Sequence, residues 1–190
     1  MPRLGPLDMT RLNPEQERAV RGFLEGRIGA VRGPSEAWLR SPGLAEPARQ
    51  LVEHCRYDTA LPRDVVELVI RVTGAHWKAQ VEFWGHARMA RHAGIPEDAI
   101  EAIRTGRRPQ LPRPDLGAAF DLVSEYFATN RVSEQTYAAA LKAFGERGLV
   151  DLEGVCGVYG FVAMTLSVFD ARVPEGEENP FPEPSGHSQA

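Results

Sequence analysis

Residues 61–94, LPRDVVELVIRVTGAHWKAQVEFWGHARMARHAG, decide the fold of this chain. Pro62 sits where proline is tolerated, in the first turn of a helix. Val65, Val66, Leu68, Val69 and Val72 then make that helix apolar over more than one stripe, which is the pattern of a central, fully covered element. Thr73-Gly74 weakens the pattern, and a break is expected near His76. A second helix follows from Lys78 to His92 and ends at Gly94, a natural left-handed C-terminal position. Folded back on each other, the two helices bring Glu67, Glu82 and His86 within reach of one another.

Working outward, Pro96-Glu97-Asp98 opens a short helix carrying Ile100 and Ile103. Residues 105–114, TGRRPQLPRP, form a connector. Asp115 to Thr129 is amphipathic through Leu116, Phe120, Val123 and Phe127. Ser133 caps a helix to Phe144 with Tyr137, Ala140, Leu141 and Phe144 inward. A last helix, about Asp151 to Asp170, is apolar nearly all round and carries Gly154, Gly157 and Gly160 at a spacing that permits close helix approach. Such a helix needs cover on both sides, and in a chain of 190 residues a second subunit can supply it. Upstream, Leu44 to Tyr57 places Leu44, Ala48, Leu51, Val52 and Cys55 on one face. Residues 29–43 are loop-like, with one helical turn at Glu36–Arg40 that docks Trp38 and Leu39. Asn13-Pro14-Glu15-Gln16 is a helix start with a capping box. The expectation is an all-α bundle of about six to eight helices. It divides into an N-terminal segment with one helix (1–28), a helical domain (29–172) and a Pro/Glu-rich tail (173–190), disordered or draped over a neighbour.

Composition narrows the function classes. Net charge is −4 and no basic stripe is present, so nucleic acid is not an expected partner. The apolar run Val155–Phe169 is shorter than the roughly 20 residues a membrane span needs, so no membrane partner is expected either. No apolar run follows the N-terminal Arg3, which is unlike a signal peptide. The two cysteines, Cys55 and Cys156, form no CxxC and fit a reducing cytoplasm.

Glu82 and His86 are four apart on one helix and share a face. A carboxylate beside an imidazole orients the ring and poises it for acid–base work near neutral pH. Glu67, inside VVELVI, must find a partner or shift its pKa if it is buried. The same residues also describe a solvent-side glutamate and an ordinary helix-surface pair, and the residues alone leave both readings open. His76 and Trp77, at the helix junction, and Trp84 are candidate substrate-binding residues. His92 reads as helix-terminal. Arg104, Arg107, Arg108 and Arg113 either attract an anionic substrate or form a solvated connector. No HxxxH or HExxH occurs, so a metal site is not expected. Cys55 and Cys156 carry no local feature that would lower a thiol pKa.

The Glu of VVELVI, the run AQVEFWGHARMARHAGIPEDAIEAI and the Arg-rich connector after it resemble the carboxymuconolactone decarboxylase family, which includes the alkylhydroperoxidase D-like proteins. SPGLAEPARQL and SEQTYAAALKAFGERGLVDL are similar to the family's flanking helices, and the likeness spans roughly residues 34–170. The resemblance implies an all-helical alkylhydroperoxidase D-like fold, with residues 29–172 as the family domain, and assembly as trimers or hexamers. The peroxidase branch carries a CxxC before the helix His and an upstream Glu in a proton relay. Laid on this sequence, the His falls on His86, the Glu on Glu67 and the two cysteines on Ala79 and Glu82. With both thiols missing, thiol peroxidase (peroxiredoxin-like) chemistry is disfavoured. What the resemblance then implies is the decarboxylase side: a carboxy-lyase of aromatic compound catabolism, without metal or organic cofactor, acting on a small carboxylated lactone. His86 is its acid, Glu82 supports it and Glu67 sets its protonation state. The alternative is an oligomeric family member without that chemistry.

Overall fold

The computed structural model describes residues 3–182 and contains eight helices and, among the described residues, no strand. They are α1 (Pro14–Glu25), α2 (Pro34–Trp38), α3 (Pro42–Tyr57), α4 (Arg63–His76), α5 (Gln80–His92), α6 (Glu97–Arg104), α7 (Pro114–Thr129) and α8 (Glu134–Val168). The all-α expectation and its helix count hold. At α1, Asn13 Oδ1 accepts from the Gln16 amide at 2.8 Å while Gln16 Oε1 accepts from the Asn13 amide at 3.0 Å, closing the capping box.

Helix α4 is the centre of the bundle, packed against α5, α7 and α8. Every residue from Val65 to Gly74 is buried. Burying side chains such as Leu68, Val69 and Ile70 stabilises the fold by roughly 1.5–3 kcal/mol each, which explains why this helix takes the middle position. It also carries two charged residues, Glu67 and Arg71, into the same dry interior.

The α4–α5 reversal is tight. Trp77 caps α4, Lys78 takes a left-handed conformation (φ 50°), and the Ala79 amide donates to the Gly74 carbonyl at 2.9 Å. The two helices then run antiparallel, with Glu67 against His86, Arg71 against Phe83 and Gly74 against Glu82. Gly74 matters here because a Cβ at that position would lie 2.8 Å from Glu82 Oε1. At the far end of α5, Gly94 (φ 93°) provides the left-handed residue that ends the helix.

Helices over 133–144 and 151–170 were expected, and α8 is indeed two helices joined across a kink at Gly145, whose φ of 66° lies outside the helical region; the second begins earlier than Asp151. Of the four residues expected inward on the 134–144 arm only Ala140 is buried; Leu141 and Phe144 are half-buried and Tyr137 is exposed. Beyond the break, α8 packs Leu152, Val155, Tyr159, Val162 and Leu166 inward and leaves Val150, Met164 and Val168 exposed. By length and composition α8 could cross a membrane, but half of its apolar stretch is buried inside the bundle, as in a core helix.

The tail also differs from expectation. Residues 183–190 lie outside the described residues, whereas the preceding stretch lies on its own chain. The Val173 amide donates to Gln80 Oε1 at 3.4 Å, and Trp84 Nε1 donates to Glu177 Oε2 at 2.9 Å. Arg104 Nη1 donates to the Pro180 carbonyl at 2.9 Å, and Phe181 packs edge-on to Phe83. The reason is local: α5 and α6 present an uncovered indole, an aromatic ring and a guanidinium that the tail satisfies.

Candidate active site

One large cleft, about 1460 Å³, opens between α3, α4, α5, α6 and α8. His86 and Glu82 line it from α5, Arg71 and Arg63 from α4, Arg56 from α3 and Tyr159 from α8. Glu67 stands immediately behind His86. Its Oε2 lies 2.9 Å from His86 Nδ1, and its Oε1 is 2.7 Å from Arg63 Nη2. The three residues proposed from sequence as the proton-transfer group are therefore together, but paired differently. The helix spacing pointed to Glu82 as the partner of His86; the antiparallel reversal gives that place to Glu67.

The protonation states follow from burial and charge. Glu67 is 0% exposed. Burial works against its charged form, but the bond from His86 and the charges of Arg63 and Arg56 outweigh it, and the carboxyl is held below its usual range. Burial is also the largest influence on His86 and holds its pKa below the ordinary imidazole value. Glu67 opposes this, and the charges of Arg56 and Arg71 reinforce it. Arg63 already compensates Glu67, so the pair is a carboxylate receiving a hydrogen bond from a neutral imidazole. Nδ1–H then donates to Glu67, and Nε2, which makes no hydrogen bond among the described residues, keeps its lone pair.

Glu82 is in a different state. It is 4% exposed, and neither carboxyl oxygen has a hydrogen-bond partner among the described residues. Burial pushes its pKa well up, with only the charge of Arg71 opposing. It is an uncharged carboxylic acid, a donor as well as an acceptor. It does not support His86 as a carboxylate, because the charge of Arg71 is outweighed by burial and no hydrogen bond among the described residues stabilises the anion.

Arg71, Arg56, Arg63 and Tyr159 were not singled out by sequence reasoning. Arg71 is 1% exposed, with its guanidinium 3.2 Å from the centre of the Phe83 ring and Nη1 bonded to the Phe83 carbonyl. Burial lowers its pKa to about 9. Its Nε and that of Arg56 are buried without a partner among the described residues. The available signal was the spacing Arg63, Glu67, Arg71, which puts two cations one turn either side of the buried acid. Tyr159 packs edge-on to the His86 ring at 5.1 Å, and burial raises its phenol pKa well above normal. It is the one aromatic hydroxyl in the glycine-rich, apolar part of α8 beyond Gly145.

Other sequence candidates lie elsewhere. His76 stacks on Phe127 at 4.0 Å and Trp77 is 52% exposed beside it, so neither lines the cleft; the helical phase of α4 turns its last residues from the face of Glu67 toward α7. Trp84 does line it, at the rim, bonded to Glu177. His92 also reaches the rim. Of the connector arginines, Arg104 borders the cleft, while Arg108 pairs with Asp121 and Arg113 with Asp64 and Asp115. Cys55 is buried with its thiol pushed up to about 11, and burial likewise raises Cys156; neither lines the cleft. No group of three potential metal ligands is clustered among the described residues.

No protein-family model and no curated protein sequence matches this chain. Solved structures do. The debrominase Bmp8, as a cysteine-to-alanine variant in complex with 2,3,4-tribromopyrrole, is 13% identical with a TM-score of 0.71, covering 92% of this chain and 91% of its own. The apo form of that protein is 12% identical at a TM-score of 0.71, with 92% of both chains covered. An uncharacterized peroxidase-related protein from Silicibacter sp. TM1040 is 13% identical at a TM-score of 0.71, covering 89% of this chain and 90% of its own. At these identities the likeness is one of fold, and the fold is alkylhydroperoxidase D-like.

Proposed function

We propose that the chain is a cofactor-free, decarboxylase-like enzyme acting by acid–base chemistry on a small carboxylated lactone or a related acid of aromatic catabolism. The observation that carries this reading is the buried Glu67–His86 pair, 2.9 Å apart, with the imidazole facing a cleft lined also by the uncharged acid Glu82 and by several arginines, Arg56, Arg63 and Arg71 among them. The guanidinium groups of Arg56 and Arg71 hold the substrate carboxylate. The bond to the departing carboxyl breaks, and its electron pair passes into the conjugated lactone, giving an extended enolate and CO2. Glu82 supplies the proton that the enolate carbon takes up, and water replaces it. Neutral His86, fixed by Glu67, orients the substrate and relays that proton. Glu82 thus takes the acid's role that the sequence had given to His86.

The two cysteines stand outside the cleft with raised pKa values, which argues against sulfur-based peroxide reduction. Exposed apolar residues on α8, notably Val150, Met164 and Val168, support assembly as trimers or hexamers, which light scattering measures directly. The functional test is CO2 release from 4-carboxymuconolactone by wild type, His86→Ala and Glu82→Gln. Turnover suppressed by both substitutions in folded protein is the expected result. No turnover by folded wild type overturns the decarboxylase reading.

A further inference from the structure

The stretch after α8 borders the cleft. Pro174, Glu177, Glu178 and Pro180 form part of the cleft wall at its mouth. Upstream, the chain is fixed. Asp170 takes a left-handed conformation (φ 51°), its amide donates to Ser167 at 3.2 Å, and the Ala171 amide donates to Leu166 at 2.8 Å, closing the end of the helix. From Arg172 onward the restraint changes character. The stretch has no helix or strand, and its links to the body are the Trp84, Arg104 and Gln80 side-chain bonds and the Phe181–Phe83 ring contact.

We propose that residues 172–182 are a lid, hinged after the α8 cap and latched by Glu177 on Trp84 and Phe181 on Phe83, whose opening admits ligand to His86. The latch stands on α5 itself, two and three residues from His86, so lid position and site access are coupled through one helix. Its few anchoring points suit a segment that opens locally while the bundle stays folded. Arg104, which holds the lid through the Pro180 carbonyl, lines the cleft at the rim, so an entering anion competes with the lid for the same cation. The inference takes the cleft around His86 as the site and needs no reaction assigned to it.

The test reads access. Full-length wild type and the double variant Glu177→Ala/Phe181→Ala are treated with diethyl pyrocarbonate, and modification is followed residue by residue by mass spectrometry. Both substitutions lie in the lid and touch no proton-transfer residue. The expected result is modification of His86 at least several-fold faster in the variant, with the half-exposed His54 unchanged as an internal control. Equal His86 rates overturn the lid. Hydrogen exchange on the wild type provides a second measurement that does not depend on the variant folding. The Val173, Glu177 and Phe181 amides, which bond only to a side chain or within the lid, are expected to exchange orders of magnitude faster than those of Leu68 and Ile70. If they exchange as slowly as α4, the stretch is a fixed wall and the proposal fails. Because neither readout involves turnover, absence of decarboxylase activity leaves both decisive.

Discussion

Replacing His86 with Gln asks which member of the buried pair carries the charge. The structure makes Glu67 the anion and His86 neutral, with burial and the Arg56 and Arg71 charges lowering the imidazole pKa. The unfolded chain has a histidine that titrates near 6.5, whereas the folded chain resists that proton. Its contribution is therefore intact above the unfolded value and lost as pH falls toward the folded one. Between pH 7.5 and 5.5 the unfolded state gains RT ln(11/1.1), about 1.4 kcal/mol at most, from this one group. Gln can still donate to Glu67 but does not titrate. Glu82 changes stability in the same window with the opposite sign, so the quantity to read is the difference between wild type and His86→Gln. Urea unfolding at the two pH values is expected to show wild type losing up to about 1.4 kcal/mol relative to the variant, equivalent to roughly 3–5 °C in Tm for a chain of this size. If wild type instead gains on the variant at pH 5.5, the pair is an imidazolium–carboxylate bridge. The neutral-imidazole mechanism is then wrong.

Two further substitutions probe Glu82. Its carboxyl is kept neutral by burial, so its contribution is fully present below about pH 4.5 and lost as pH rises. Glu82→Gln should gain on wild type from pH 5 to 7 by at most about 1.4 kcal/mol per pH unit in urea titrations; a constant offset means that Glu82 ionises normally. Gly74→Ala places a Cβ 2.8 Å from Glu82 Oε1, an overpacking cost of about 1–3 kcal/mol set against about 0.5–1 kcal/mol of helix gain. It should destabilise wild type yet stabilise the Glu82→Ala background, and equal effects in the two backgrounds would show that the contact is not felt.

The sequence was most informative where period and punctuation agreed. The broad apolar face of 65–72 implied a central α4, Asn13-Pro14 and Gly94 marked ends that the structure keeps, and Glu67, Glu82 and His86 do converge. What it could not supply was the partnering. An i, i+4 rule sees only one helix, so it joined His86 to Glu82, while the turn at Trp77–Ala79 decides that Glu67 faces the imidazole. His76 and Trp77 were misplaced because the helical phase of α4 carries its last turn away from the face of Glu67, against Phe127 of α7. Arg71 escaped notice because a lone arginine in an apolar helix reads as a solvent-facing residue, yet it is the largest fully buried side chain in the bundle. The 134–144 arm is less buried than its amphipathic spacing suggested, because spacing shows which residues share a face and not how fully that face is covered.

Arg56, Glu67, Arg71 and Glu82 hold the buried side-chain polar atoms that make no hydrogen bond among the described residues, although Glu67 Oε1 is ion-paired with Arg63 at 2.7 Å. A buried polar atom left without a partner costs about 1–3 kcal/mol, set against the roughly 5–15 kcal/mol that keeps a typical domain folded. Apolar residues of similar volume would remove that cost, and buried charge is often replaced in this way without loss of stability. Here such groups are concentrated around one cleft and a fixed imidazole, on the central helix α4 and its neighbours. A rigid frame of that kind holds donors and acceptors in place before a ligand arrives, so a ligand that satisfies them is stabilised without reorganising the site. The unpaired guanidinium nitrogens and the neutral acid therefore define the ligand as much as the Glu67–His86 pair does: it must bring acceptors for the first and a partner for the second.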